Sequence, residues 1–327
     1  MRKVLLTTTA LVALGGVSAA SAIDISGTYM FDYTINDNGT VNSGGNNNTA
    51  MGSDARIAFS GSTTSDAGIT FGGALALDAT GTTEDRGIYM SGDFGYVMMG
   101  ATDGVVDGMD TFMNSAANTE IGAGTTNSAL VNLNGSATLT DAATSEKVGY
   151  RSPAISGFQF GVSHTDAGRT SKADNNQWIV TYDAGFAKVG YAQAKIGAAA
   201  GTSATTEQTQ MGIGATFGDF NFRYANGTDT TNAASGAPTS DIDTNNFGVS
   251  YSGIENISIY YDGVDSEEKT GTNDGDKLEG STIGLSYTVA PGVSALIESG
   301  SNTYTNVDLS TGTDQSNYTR LGLSVDF

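Results

Sequence analysis

Apolar and polar residues alternate along most of this chain in short runs, and the runs come in pairs. At 321–327, Leu321, Leu323, Val325 and Phe327 occupy every second position. Strand side chains alternate between two faces, so this segment has one apolar face and one polar face. The same reading predicts sixteen strands, at 23–35, 56–59, 69–77, 88–90, 96–99, 147–152, 158–165, 177–182, 186–194, 209–217, 220–224, 246–251, 256–261, 281–289, 293–299 and 318–327. Tight turns join them in pairs, as at Ser65-Asp66-Ala67-Gly68, Gly92-Asp93-Phe94-Gly95 and Gly218-Asp219. Gly and Asp supply the backbone freedom that such turns demand. Longer polar segments separate the pairs, at 36–53, 78–85, 166–176, 197–207, 225–244, 262–280 and 300–317.

An even strand count with short turns on one side and long loops on the other predicts an all-β fold. Its form is a sixteen-stranded antiparallel transmembrane β-barrel. Half-apolar strands suit a wall with lipid on one face and water on the other. Aromatics recur beside the turns, at Tyr96, Phe158, Tyr182, Phe217, Phe220, Tyr251 and Tyr287. Rings at headgroup level are what such a barrel requires. A soluble sandwich or β-helix is the alternative, and the chain shows no fixed repeat period that would favour it.

The ends set the compartment. Arg2 and Lys3 precede an apolar run from Val4 to Val17, then Ser18-Ala19-Ala20-Ser21-Ala22. That is the pattern of a secretory signal peptide, expected at 1–22 with the mature barrel at 23–327. The run is too short to cross about 30 Å of hydrocarbon as a helix.

Composition narrows the function. Without Arg2 and Lys3, 12 basic residues face 35 acidic ones, a net charge near −23. Nucleic-acid binding wants a basic face, so no nucleic-acid partner is expected. There is no Cys and a single His, His164, so neither a disulfide framework nor a zinc cluster is expected. Gly122-Ala123-Gly124 lacks the Lys and helix of a phosphate loop. Nothing points to an enzyme.

Four segments resemble the general diffusion porins of Gram-negative bacteria, in particular the alphaproteobacterial branch. They are Asp54 to Gly61 (DARIAFSG), Ile88 to Gly104 (IYMSGDFGYVMMGATDG), Val148 to Pro153 (VGYRSP) and the chain end at Phe327. The resemblance implies a trimeric outer-membrane barrel whose third loop folds inward as a constriction. It implies outer-membrane lipid and the barrel-assembly machinery as partners, the latter reading Phe327. Glu120-Ile121-Gly122 resembles the Glu-Phe-Gly of the loop tip in that family, with Thr119 in place of the usual Pro. Gly100 is followed by Ala101 where enterobacterial members often carry a basic residue.

The segment 101–146 is the one long stretch without a strand pair, and loops of that length are functional or disordered. It carries Asp103, Asp107, Asp110, Glu120, Asp141 and Glu146. Folded into a lumen, it would line one side of a throat with carboxylates. Parity supplies the other side. If Ile57, Phe59, Val148, Tyr150, Val189, Tyr191, Phe222, Tyr224, Leu321 and Leu323 face lipid, their neighbours Arg56, Lys147, Arg151, Lys188, Arg223 and Arg320 face the lumen. Lipid would penalise those charges at mid-membrane. Acid facing base across a narrow passage sets ion selectivity, and the acidic excess predicts a modest cation preference. Asp103, Asp107 and Asp110 are also candidate Ca²⁺ ligands, though they match no EF-hand spacing. Competing readings are a substrate-specific channel, which wants an aromatic slide or basic ring, and a secreted surface or adhesion protein.

Overall fold

The computed structural model describes residues 23–38, 48–78, 81–112, 139, 145–166, 173–198, 204–271, 273–305 and 313–327. The signal-peptide segment 1–22 lies outside them. Among the described residues the strands are β1 Asp24–Asn38, β2 Asn48–Thr64, β3 Thr70–Asp78, β4 Thr83–Gly92, β5 Gly95–Ala101, β6 Glu146–Arg151, β7 Phe158–Thr165 and β8 Asn175–Asp183. The ring continues with β9 Ala187–Ile196, β10 Thr205–Phe217, β11 Phe220–Asn232, β12 Pro238–Ile254, β13 Ile257–Glu268, β14 Lys277–Ala290, β15 Val293–Thr305 and β16 Thr313–Asp326. Each strand pairs with the next in sequence, and β16 pairs with β1, so the sheet closes into a sixteen-stranded antiparallel barrel. Closure removes the open edge that lipid would not tolerate.

Alternation along the strands sorts the two faces. On β8, Asn175, Gln177 and Ile179 are buried inside while Asn176, Trp178 and Val180 are exposed outside. Phe158, Phe160 and Val162 of β7 and Phe220, Phe222 and Tyr224 of β11 are likewise exposed. An apolar exterior around a polar interior is the reverse of a soluble core, and it is what a hydrocarbon solvent selects. No helix among the described residues is long and apolar enough to cross a membrane.

The closing seam uses the chain end. Phe327 and Gly27 exchange both backbone hydrogen bonds, at 2.9 Å each. A Cβ on Gly27 would lie 2.6 Å from the Phe327 ring, so the missing side chain of β1 is the seat of that ring. Leu323 and Leu321 continue the outward row opposite Phe31 and Tyr33.

Several polar segments expected to be loops are strand. β11 runs to Asn232 and β12 starts at Pro238, so most of 225–244 is a hairpin. β13 reaches Glu268 and β14 starts at Lys277, which converts much of 262–280. β15 and β16 likewise extend into 300–317, and β1 and β2 into 36–53. The reason is length. About 9–11 residues cross a bilayer, whereas β12 has 17 residues. Beyond the hydrocarbon both faces are wet, so alternation fades while backbone pairing continues.

Candidate functional site

The path through the barrel is shaped by what the third loop does as it leaves β5. Gly100 has φ +139°, and a Cβ there would collide with the Arg86 carbonyl oxygen. Only glycine lets the chain turn in at that point. A 3₁₀ helix, Val105–Phe112, follows and lies against the inner wall. Val105, Val106, Met109 and Phe112 are at most 1% exposed. They pack with Met98, Ile179, Ala192 and Ala225 into an apolar cluster within the lumen.

The wall beneath is built of small residues. A Cβ on Gly212 would sit 2.5 Å from the Phe112 ring, one on Gly190 2.8 Å from Met109 Sδ, and one on Gly161 3.2 Å from Val105 Cβ. Gly161, Ile179 and Ala192 are aligned across β7, β8 and β9, and Gly190, Gly212 and Ala225 across β9, β10 and β11. Four buried apolar side chains stabilise this seat by roughly 6–12 kcal/mol at ~1.5–3 kcal/mol each.

Two bases hold the root of the loop. Lys147 is 5% exposed, and its Nζ donates to the Thr102 carbonyl oxygen. Arg151 Nη2 donates to the carbonyl oxygens of Gly104 and Val105 at 3.4 and 3.3 Å. Both face inward, as parity requires, and both engage the loop backbone. Arg56 faces inward and pairs with Asp85 at 2.6 Å. Lys188 and Arg223 face inward on either side of Gly214.

The opposite wall is mostly polar, with Val264 and Leu278 as buried apolar residues on its inner face. Arg320, 1% exposed, lies 3.6 Å from both Asp32 and Glu298. Tyr260 crosses Gly284 to donate to Glu298 at 2.6 Å, and the Tyr318 ring lies over Gly300 with its hydroxyl 2.5 Å from that of Thr282. Glycines at inward positions leave room for these rings to lie flat along the wall. Arg320 is therefore neutralised by acids on both adjoining strands and does not form a free positive rim.

The loop acids divide. Asp107 is exposed and Asp103 half-buried near the start of the loop. The Asp110 side chain, Glu120 and Asp141 lie outside the described residues. Glu146 corrects the sequence reading: it stands on the outward parity of β6 with Val148 and pairs with Arg86 at 2.5 Å. Lys147 faces inward, so its neighbour cannot, and Glu146 does not line the lumen. Sequence reasoning missed Arg86, and it missed the small-residue seat, although Gly190, Gly212 and Gly214 at lumen parity were visible in Val189-Gly190-Tyr191-Ala192 and Met211-Gly212-Ile213-Gly214. Among the described residues no group of three His, Cys, Asp or Glu is arranged to hold a metal ion. His164 faces outward, 2.8 Å from Asn176.

A closed barrel with an apolar exterior, a polar interior and a loop packed inside it defines a transmembrane channel. The chain belongs to the Gram-negative porins, whose family model matches residues 7–326. It is an outer-membrane protein that lets small solutes diffuse passively through its lumen. No curated protein matches the chain by sequence. Among solved structures, the anion-selective porin from Comamonas acidovorans matches with a TM-score of 0.72 at 13% identity, covering 94% of this chain and 100% of that one. The trimer form of OmpT from Vibrio cholerae gives 0.71 at 14% identity, with 94% and 100% covered. OmpF of Salmonella typhi, in complex with daunomycin, gives 0.68 at 14% identity, with 94% and 98% covered. At these identities the likeness concerns the fold.

Proposed function

We propose that the channel prefers cations modestly, that its third loop sets its width, and that it works as a homotrimer. The observation that carries the first part is the charge balance of the inner wall. Arg320 sits between two carboxylates, and Arg56 faces Asp85 while standing opposite Asp78 in register. Asp262 and Glu268 are buried on the lumen parity of β13, and exposed Asp107 adds a carboxylate on the loop. Two of the remaining bases, Lys147 and Arg151, are engaged by loop carbonyls. Charges in a narrow passage with low-dielectric walls act on ions more strongly than screened charges outside it. The buried apolar face of the 3₁₀ helix supports the second part, since it holds the loop root inside the barrel. A trimeric relative with the same fold supports the third. Export by a cleaved segment at 1–22 and recognition of Phe327 by the assembly machinery belong to the same reading.

Reversal potentials under a salt gradient test the selectivity. Changing Asp107, Asp110 and Glu120 together to their amides should lower the cation preference. Open channels whose reversal potential does not move would remove these carboxylates from the throat. Mass determination of detergent-solubilised protein tests the trimer, and a monomer that conducts as well as the assembled form would overturn it.

A further inference from the structure

On the short-turn side of the 3₁₀ helix, the inner wall holds a cleft of about 220 Å³. Gly214 of β10 forms its floor. Lys188 of β9 and Arg223 of β11 stand in register with that glycine, one on each side. Phe112 bounds the cleft, and Lys188 Nζ lies 5.8 Å from the centre of its ring. Asn221 also lines it. The Thr216 hydroxyl donates to Asn221 Oδ1 at 2.8 Å, which turns the amide so that its NH₂ remains available as a donor. Asp183 is the one acid in the lining; it stands directly opposite Lys188 in register, and its carboxylate accepts from the Gly185 backbone N–H at 2.7 Å.

These two bases differ from the others of the barrel. Arg56, Arg86 and Arg320 each have a carboxylate within 4 Å, and Lys147 and Arg151 are bonded to loop carbonyls. Among the described residues, Lys188 and Arg223 have no ion pair. Asp262 stands two strands away from Arg223, across Gly248. Two cations thus flank a bare glycine in this hollow.

We propose that this cleft is a subsite for a phosphate group, placed on the solute path at the short-turn mouth. The proposal rests on the channel reading above and adds a solute class to it. A dianionic phosphate has enough acceptor oxygens to meet a guanidinium fork, an ammonium and an amide N–H together. The missing side chain at Gly214 lets the anion approach the wall between the two bases. Elsewhere the acidic lumen repels anions, so a local dibasic notch gives phosphate-bearing solutes a place to pause and extends the range of a cation-preferring pore.

Single channels in planar bilayers test this. At constant ionic strength, inorganic phosphate or glycerol phosphate replaces chloride on one side at a time. Wild-type current should fall saturably, and at lower phosphate from the short-turn side. Lys188→Gln and Arg223→Gln should each raise the half-blocking concentration about tenfold, the loss of one charge-assisted hydrogen bond. Gly214→Asp should do the same while keeping both bases. A response to both ligands assigns the subsite to phosphate groups on small solutes, and a response to inorganic phosphate alone assigns it to the free ion. Conducting wild-type channels with no saturable, side-dependent response overturn the subsite with no variant needed. So do folded variants that block like wild type. Protein that never conducts would overturn the channel reading instead.

Discussion

The two halves of the inner wall solve opposite problems. From β7 to β11, at the level of the 3₁₀ helix, Gly161, Gly190, Ala192, Gly212 and Ala225 leave room for an apolar helix inside a water-filled barrel. From β13 around to β1 it is crowded with Tyr260, Glu298, Tyr318, Arg320 and Asp32, where Arg320 lies between two carboxylates, Tyr260 donates to Glu298 and Tyr318 meets Thr282. The first half gains stability from burying a segment that the strands themselves do not contain. The second gains little net energy, because buried ion pairs roughly balance desolvation. What it gains is a fixed arrangement of charge. One wall positions the obstruction and the other sets the field, so lumen shape and lumen charge can be changed separately.

The charged wall should be the more fragile. Arg320→Gln leaves Asp32 and Glu298 inside without their shared cation. Breaking such a buried pair costs about 3–5 kcal/mol, so urea unfolding in detergent should show a large loss of stability. A loss below ~1 kcal/mol would mean the cluster is wetter than its burial indicates. On the loop wall, Gly212→Val forces the Phe112 ring to move. Overpacking of this kind costs ~1–3 kcal/mol, and the expected outcome is a folded barrel with higher single-channel conductance. Unchanged conductance would show that the helix does not limit the pore. Arg56→Gln removes one base but leaves Asp85 and Asp78, so cation preference should rise slightly while stability barely changes. A fall in that preference would contradict the acidic-wall reading.

The seam between the walls gives a further test. Phe327→Asp replaces a lipid-facing ring seated on Gly27 with a charge, and it should reduce the yield of heat-modifiable barrel. Normal yield would show that this seat is dispensable.

The smallest effect is pH-dependent. Asp229 lies on the lumen parity of β11, above the level where the outward residues are Tyr224 and Phe222 and beside the outward Thr228 and Thr230. Burial pushes its carboxyl above the usual range. The Gln208 amide opposes that shift and the Asp241 charge adds to it. A raised folded-state value means the protonated form is favoured on folding, so Asp229 contributes stability at low pH that is lost as pH rises through its titration. Cation preference should therefore begin to fall at a higher pH than ordinary carboxylates would cause, and Asp229→Asn should remove that early component. A pH profile unchanged by Asp229→Asn would place the titration elsewhere.

Much of this was legible in the chain. Strand pairs, facing and the inward direction of Arg56, Lys188 and Arg320 follow from period two, because lipid outside and water inside enforce alternation residue by residue. The alternation ended where the membrane ended, which is why the polar arms of β11 to β16 read as loops. Partner choice was beyond local pattern. Arg320 meets Asp32 because β16 closes on β1 across nearly the whole chain, and Glu298 because register puts it directly opposite. Period two turns Lys147 and Arg151 inward, yet only the path of 101–112 showed that they grip loop carbonyls. Glu146 faces outward beside a lysine that faces in, one residue apart, because pleat parity is absolute once register is set. Sequence periodicity decides which face a side chain occupies. Closure, register and loop path decide what it meets there, since those depend on contacts between residues that no local window contains.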